Sequence, residues 1–289
     1  MNNPSILAKE FMNRGFSLNC PIIDVHGHLG PFWGVYMPSS DINLMIRTLK
    51  RCNVQCIVSV PHAAMVDSQR GNELMQKTID KYKGIFLGYW MINPNHTDII
   101  EKDLQNFENT RGFVGFKFLP DYHTYPITGE NYIPALEYAN EKNLMILVHT
   151  WGRSQFDSPQ MLGRIAEKYP NINFIMGHSG FGDWETSVKL AKELPNVYLE
   201  LTAVWASHDF AMQVKGSGTP EPLLSFLHIN GIIEFMVERA GSKKILFGTD
   251  LPWYSPHYAA GAILFSHITD EERHDIFHRN AERLLNKFL

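Results

Sequence analysis

Cysteine is scarce in this chain: three residues in 289, an odd number, which excludes a disulfide framework and suits a reducing cytosol. No apolar run is long enough to cross a bilayer, and the start, MNNPSILAKEFMNRG, lacks the apolar stretch of a secretory signal. Charge of one sign is missing too. With 26 basic and 30 acidic residues the net charge is -4, so no basic footprint for nucleic acid is visible. There is no charge block, low-complexity tract or internal repeat, and 12% of residues are aromatic, which excludes disorder and a solenoid. Hydrophobic residues at 44% and charged residues at 19% are ordinary globular values, enough to fold without a metal or a disulfide. The expectation is a soluble, cytoplasmic, single-domain protein over residues 1–289 that acts on a small molecule, with no nucleic-acid or membrane partner. A homodimer is compatible with it.

What is present is a rhythm of short apolar runs, loops and amphipathic segments. Eight runs fall at 21–25, 54–60, 85–92, 113–118, 144–148, 172–176, 197–201 and 245–247. Each is too short for a typical helix and several are rich in Val, Ile and Phe, so the pattern predicts strands. Between them Ile42, Met45, Ile46 and Leu49 recur at helical spacing, as do Leu162, Ile165, Ala166 and Tyr169. Ser158 and Pro159 read as an N-cap and first helical position, and Thr269 with Glu272 as a capping box. Strands alternating with helices imply parallel pairing, because each crossover needs about a dozen residues. Eight such units fit an α/β fold of the (β/α)8 TIM-barrel type better than an open doubly wound sheet, since no G-x-G-x-x-G follows the first strand. Residues 2–19 are predicted to form a helix closing the barrel bottom, with the barrel running from about 20 to 289. The segment 202–222, with Trp205 and His208, reads either as a cover over a site or as a plain surface loop.

In a barrel, chemistry sits at the C-terminal strand ends. Here those ends read D-V-H-G-H (Asp24, His26, His28), F-K-F (Lys117), L-V-H-T (His149), M-G-H-S (His178) and F-G-T-D (Asp250). Alternation along a strand turns Asp24, His26 and His28 the same way, into the mouth. A single strand-end histidine is commonly a packing residue, an H-x-H pair alone is weak, and Asp250 alone could cap a loop. Five such coincidences on five strands point instead to a metal site built from imidazole and carboxylate donors.

This constellation resembles the amidohydrolase superfamily, and the local text resembles its amidohydrolase-related branch, which includes aminocarboxymuconate semialdehyde decarboxylase and several lactone hydrolases. The carriers are I-I-D-V-H-G-H-L at 22–29, G-F-V-G-F-K-F at 112–118 and Y-P-N-I-N-F-I-M-G-H-S-G at 169–180. V-Y-L-E-L at 197–201, I-L-F-G-T-D-L-P at 245–252 and N-A-E-R-L-L at 280–285 complete the series. The resemblance implies that His26, His28, His149 and Asp250 ligate one divalent ion, zinc by preference, with His178 beside the activated water as acid–base group or oxyanion stabiliser. Asp250 would touch both metal and water and shuttle a proton. Asp24 either supports an imidazole or forms a salt bridge at the strand start.

Lys117 carries two readings: a carboxylated bridge between two metals, as in binuclear members, or an unmodified lysine that binds an anionic substrate group, which is preferred. Trp33, Tyr36, His62, Arg153, Tyr254 and His257 are expected at the active face, where loops set specificity. Of these Arg153, Trp33 and Tyr254 are the chosen substrate contacts, although Arg153 could instead pair with Asp157. Cys20, Cys52 and Cys56 are expected to pack in strand two and the barrel bottom, and His274 and His278 on a solvated helix face. Three functions compete. A hydrolase acting on an ester, lactone or amide leads. A non-oxidative decarboxylase of a small unsaturated or aromatic acid follows, then a catalytically silent binding barrel, which should have lost at least one of these positions and has not.

Overall fold

A computed structural model describes residues 5–204 and 231–289. Eight strands make one sheet in chain order. They are β1 (Ile22–Leu29), β2 (Val54–Pro61), β3 (Phe86–Met91), β4 (Phe113–Phe118), β5 (Met145–Trp151), β6 (Asn173–Phe181), β7 (Val197–Glu200) and β8 (Ile245–Leu246). Every neighbouring pair is parallel. The ring closes between β8 and β1, where Val25 N–H donates to Phe247 O at 3.0 Å and His28 N–H to Leu251 O at 2.7 Å. The fold is the TIM barrel expected, and each apolar run lies on a strand. Three strands, β1, β5 and β6, continue past the apolar text and carry their histidines on the strand itself.

Helices fill the crossovers: α1 (Ile6–Arg14), α2 (Ile42–Arg51), α3 (Ser68–Lys81), α4 (Thr97–Glu108), α5 (Ile133–Lys142), α6 (Pro159–Lys168) and α7 (Trp184–Glu193). After the second described stretch begins come α8 (Ile232–Ala240), α9 (Pro256–Leu264), α10 (Asp270–His274), a π-helical turn (Asp275–Arg279) and α11 (Asn280–Leu285). Local chemistry explains their starts. Asp41, Asp67 and Asp183 accept the N–H of Leu44, Arg70 and Thr186 at the first turns of α2, α3 and α7. Ser158 is the N-cap of α6 with Pro159 first in the helix, although its side chain makes no capping bond. Thr269 and Glu272 form the full capping box of α10.

Apolar side chains divide by strand alternation into two cores. Ile23, Val25, Cys56, Val58, Leu147, Ile175 and Leu246 fill the barrel, and the outer faces pack against the helices. The sequence placed an N-terminal helix under the barrel. That helix exists as α1, but it lies in the outer layer, its Phe11 ring 6.0 Å from His257 of α9 and its Ser5 cap bonded to Asp270. The interior is closed instead by Ala281 and Leu285 of α11, which present small and large apolar groups on one helix face. Trp205 and His208 lie outside the described residues.

Candidate active site

β1 does not keep strict alternation. Its register with β2 shifts between Asp24 and Gly27, so Ile23 and Val25 point into the barrel core and His26 and His28 still reach the mouth. Asp24 is thereby separated from them and turns to β8, where it accepts from Thr249 N–H at 3.1 Å and Thr249 Oγ1 at 2.5 Å. It also accepts from His26 N–H at 3.0 Å. Burial pushes its pKa up to about 8 despite these donors. It supports backbone, not an imidazole.

The carboxylate that does hold an imidazole is Glu200, at the end of β7. Its Oε2 lies 2.9 Å from His26 Nδ1 and accepts from His178 N–H at 3.1 Å. Its Oε1 accepts from the N–H and the hydroxyl of Thr202. Four donors converge on one buried side chain, and Gly248 keeps the space: a Cβ there would collide with Glu200 Oε1. Sequence reasoning gave Glu200 no role. The available signal was a lone carboxylate ending an otherwise apolar strand in V-Y-L-E-L.

These contacts fix the tautomers. His26 gives its Nδ1 proton to Glu200, and His28 Nδ1 lies 3.2 Å from Val60 O, which can only accept. Both Nε2 lone pairs then face Asp250 Oδ1, at 3.4 Å from His26 and 2.9 Å from His28. Among the described residues no hydrogen-bond donor meets that oxygen. His28 Nε2 and Asp250 Oδ1 are two acceptors with no proton between them, while His26 Nε2 meets a donor in Lys117 Nζ at 3.2 Å, so the cluster calls for a cation at Asp250 and His28. Burial, then Lys117, holds His26 well below the ordinary imidazole range, the neutral form a metal needs.

His149 stands apart from this trio. Its Nδ1 is 3.2 Å from His178 Nε2, and its Nε2, 3.5 Å from Asp121 Oδ2, has no hydrogen-bond partner among the described residues. His178 is neutral as well, pushed down to about 4 by burial, and its ring stacks on Trp151 at 5.3 Å. His178, Ser179 and Asp250 have φ of 56°, 49° and 58°, a left-handed conformation uncommon for residues with side chains. Such backbone persists where the surroundings hold it, and here it marks the strand ends that carry the site.

Above these groups opens a pocket of about 170 Å³. His28, His62, His149, His178 and Asp250 line it, with an aromatic wall of Phe32, Tyr122, Trp151, Trp253 and Tyr254. His62 stacks on His28 at 4.6 Å. It accepts from Trp253 Nε1 at 3.1 Å and donates from Nδ1 to Gly30 O at 2.8 Å, a neutral ring whose pKa burial lowers to about 3.

Several expected contacts do not reach the pocket. Lys117 is fully buried below it, with Nζ 3.2 Å from His26 Nε2 and its pKa pushed down to about 8 by burial. Trp33 is 67% exposed and packs on Phe32, which takes the wall position instead, and Tyr36 is exposed. Arg153 is exposed and makes no ion pair with Asp157 among the described residues. Asp157 is buried beside Asp121, and burial, then that neighbour, raises it to about 7. His257 faces α1 and the carbonyl of Arg51 rather than the mouth.

Residues 23–287 match the amidohydrolase family model, and the chain belongs to this family. No curated protein matches it in sequence. Among solved structures it is similar to an uncharacterized TIM-barrel protein from Bordetella bronchiseptica (TM-score 0.71, 16% identity, 92% of this chain and 99% of that one). It is also similar to 5-carboxyvanillate decarboxylase from Sphingomonas paucimobilis (TM-score 0.67, 13% identity, 92% and 99%). A third is a dihydroxybenzoic acid decarboxylase from a Polaromonas species with bound manganese and 2-nitroresorcinol (TM-score 0.67, 16% identity, 92% and 98%). At these identities the likeness carries the fold.

Proposed function

We propose that the protein is a metal-dependent hydrolase using an activated water on the carbonyl of a small ester, lactone or amide. The reading rests on one observation: His26 Nε2 and His28 Nε2 both face Asp250 Oδ1, an oxygen without a donor, at the floor of the pocket. His26, His28 and Asp250 would hold the ion, with His149 as the fourth ligand on the family pattern. Imidazole and carboxylate donors suit zinc, the proposed metal; the manganese of the Polaromonas enzyme makes that ion the alternative. When bound, such an ion supplies Lewis acidity and lowers the pKa of water from 15.7 to about 7.

The chain's own groups supply the rest. Asp250 accepts the proton of the attacking water and passes it to the leaving group. His178, fixed by Trp151, stands beside it to stabilise the developing oxyanion. Glu200 sets the His26 tautomer, and neutral His62 sets the plane of His28. The aromatic wall excludes water and favours a compact, flat substrate.

That wall also favours a second reading, decarboxylation of a small aromatic or unsaturated acid, as named for two of the structural neighbours. His178 would then protonate the carbon from which carbon dioxide departs. Substrate panels of lactones, esters and aryl acids run in H2(18)O and in D2O separate the two. Label in the product carboxylate is the expected result. Deuterium on carbon with carbon dioxide release selects the second reading, and turnover unaffected by chelation overturns both.

A further inference from the structure

We propose that Cys20, His274 and His278 form a second metal site, for zinc, at the barrel end opposite the pocket. Cys20 precedes β1 and is buried, 4% exposed. His274 ends α10 and His278 lies within the π-helical turn that follows, in a segment tied to the start of β8: Ser242 Oγ donates to Asp275 Oδ2 at 2.8 Å, and Asn280 Nδ2 to Ser242 O at 2.8 Å. One ring nitrogen from each histidine and the Cys20 sulfur lie within 4.8 Å of one another.

The histidine pair has the spacing a zinc ion needs. His274 Nδ1 and His278 Nε2 are 3.0 Å apart, and two zinc–nitrogen bonds of about 2.0–2.1 Å at a tetrahedral angle put their nitrogens roughly 3.3 Å apart. The second ring nitrogen of His278 is already engaged, with Nδ1 2.8 Å from Glu282 Oε1. This is the carboxylate–histidine arrangement that orients imidazole ligands, and it leaves the Nε2 lone pair facing His274 Nδ1. The backbone that follows His274 and carries His278 is π-helical over Asp275–Arg279, a rare conformation concentrated at functional positions. Asp270, Glu10 and Glu282 put negative charge around Cys20, and Arg279 positive charge.

Donor softness sets the metal. A thiolate with two imidazoles selects zinc over magnesium, calcium or manganese, and three protein ligands leave one position for water. The site would clip the segment before β1 to the C-terminal helical segment, joining parts of the chain at its two ends. An ion held only by the folded state raises stability by mass action.

The test is a cobalt titration of the metal-stripped full chain, followed by absorption. A near-ultraviolet thiolate-to-cobalt band saturating within two equivalents is expected, within one in His26→Ala, lost in Cys20→Ser and weakened in His278→Ala. Circular dichroism checks that the variants fold. In the unmutated chain, zinc should slow alkylation of Cys20 severalfold, mapped by mass spectrometry, while Cys52 and Cys56 keep their rates. A band that is absent from the unmutated chain, or persists in Cys20→Ser, overturns the site, as does alkylation of Cys20 indifferent to zinc.

Discussion

Below the level of His26 the strands contribute Ile23, Val25, Cys56, Val58, Leu147 and Ile175 to a core capped by Leu285. Above it the same strands present His26, His28, His149 and His178, buried and facing one another, with His149 Nε2 and Asp250 Oδ1 lacking a hydrogen-bond partner among the described residues. The lower half is filled mostly by buried apolar side chains. The upper half departs from this pattern: left-handed backbone at His178 and Asp250, a carboxylate enclosed in Glu200, and a lysine with no exposure. Stability and chemistry are therefore separable along the barrel axis, and substitutions at the two ends should fail in different ways.

The largest effect is expected at the mouth. Asp250→Asn should lower kcat by about 10²–10⁴-fold and release the metal, because on the proposed reading it removes both a ligand and the proton acceptor. His178→Asn should lose activity comparably and keep its metal. Elemental analysis beside steady-state kinetics reads the difference. Equal metal loss in the two variants would make His178 a ligand and redraw the site.

How much of this contrast the sequence displayed depends on the range of each signal. The barrel was legible because short apolar runs and helical spacing are local, as in 54–60 or in Ile42, Met45, Ile46 and Leu49 of α2. The strand-end histidines were legible because ionisable residues seldom end buried strands. Asp24 was misplaced because the register shift in β1 leaves no mark in D-V-H-G-H. Glu200 escaped notice because a carboxylate at a strand end reads as solvated until Gly248 and Thr202 are seen to enclose it. Cys20, His274 and His278 sit at opposite ends of the chain, so nothing local relates them. Arg153 and Trp33 were chosen for side-chain type, and loop direction sent Phe32 inward instead.

At the opposite end, Leu285→Ala should behave in reverse. Leu285 is fully buried in the interior cluster, so truncation leaves a cavity under the barrel. A loss of about 3 kcal/mol in urea unfolding is expected, with kcat per folded molecule unchanged. A fall in kcat at full folding would show that the two halves are coupled.

Acid sensitivity should belong to the upper half. His123, in the loop after β4, sits with Nε2 3.1 Å from Met65 O, and its Nδ1 has no partner among the described residues. Burial lowers its pKa from 6.5 to about 4. The unfolded chain therefore binds the extra proton between these values, so stability rises with pH across the window and is lost as pH falls from about 6.5 towards 4. His123→Gln should reduce the stability lost between pH 7 and pH 5 by about 2 kcal/mol, measured by urea unfolding at both pH values. An unchanged pH dependence would mean that His123 is already charged in the folded protein.

The smallest effect sharpens the contrast most cleanly. Thr269 caps α10 at the lower end: its hydroxyl takes the Glu272 N–H at 3.2 Å, and the Glu272 carboxylate returns to the Thr269 N–H at 2.7 Å. These bonds satisfy donors that a helix start leaves unpaired, without burying apolar surface or touching the pocket. Thr269→Ala should cost about 1 kcal/mol of stability. The loss should not touch kcat or metal content at the mouth. It should, however, loosen the start of the helix that carries His274, so cobalt affinity at Cys20, His274 and His278 should fall while the mouth site is unaffected. If the cobalt titration is unchanged although stability drops, the clip is held by the π-helical turn and Asn280 alone, and α10 is only its neighbour.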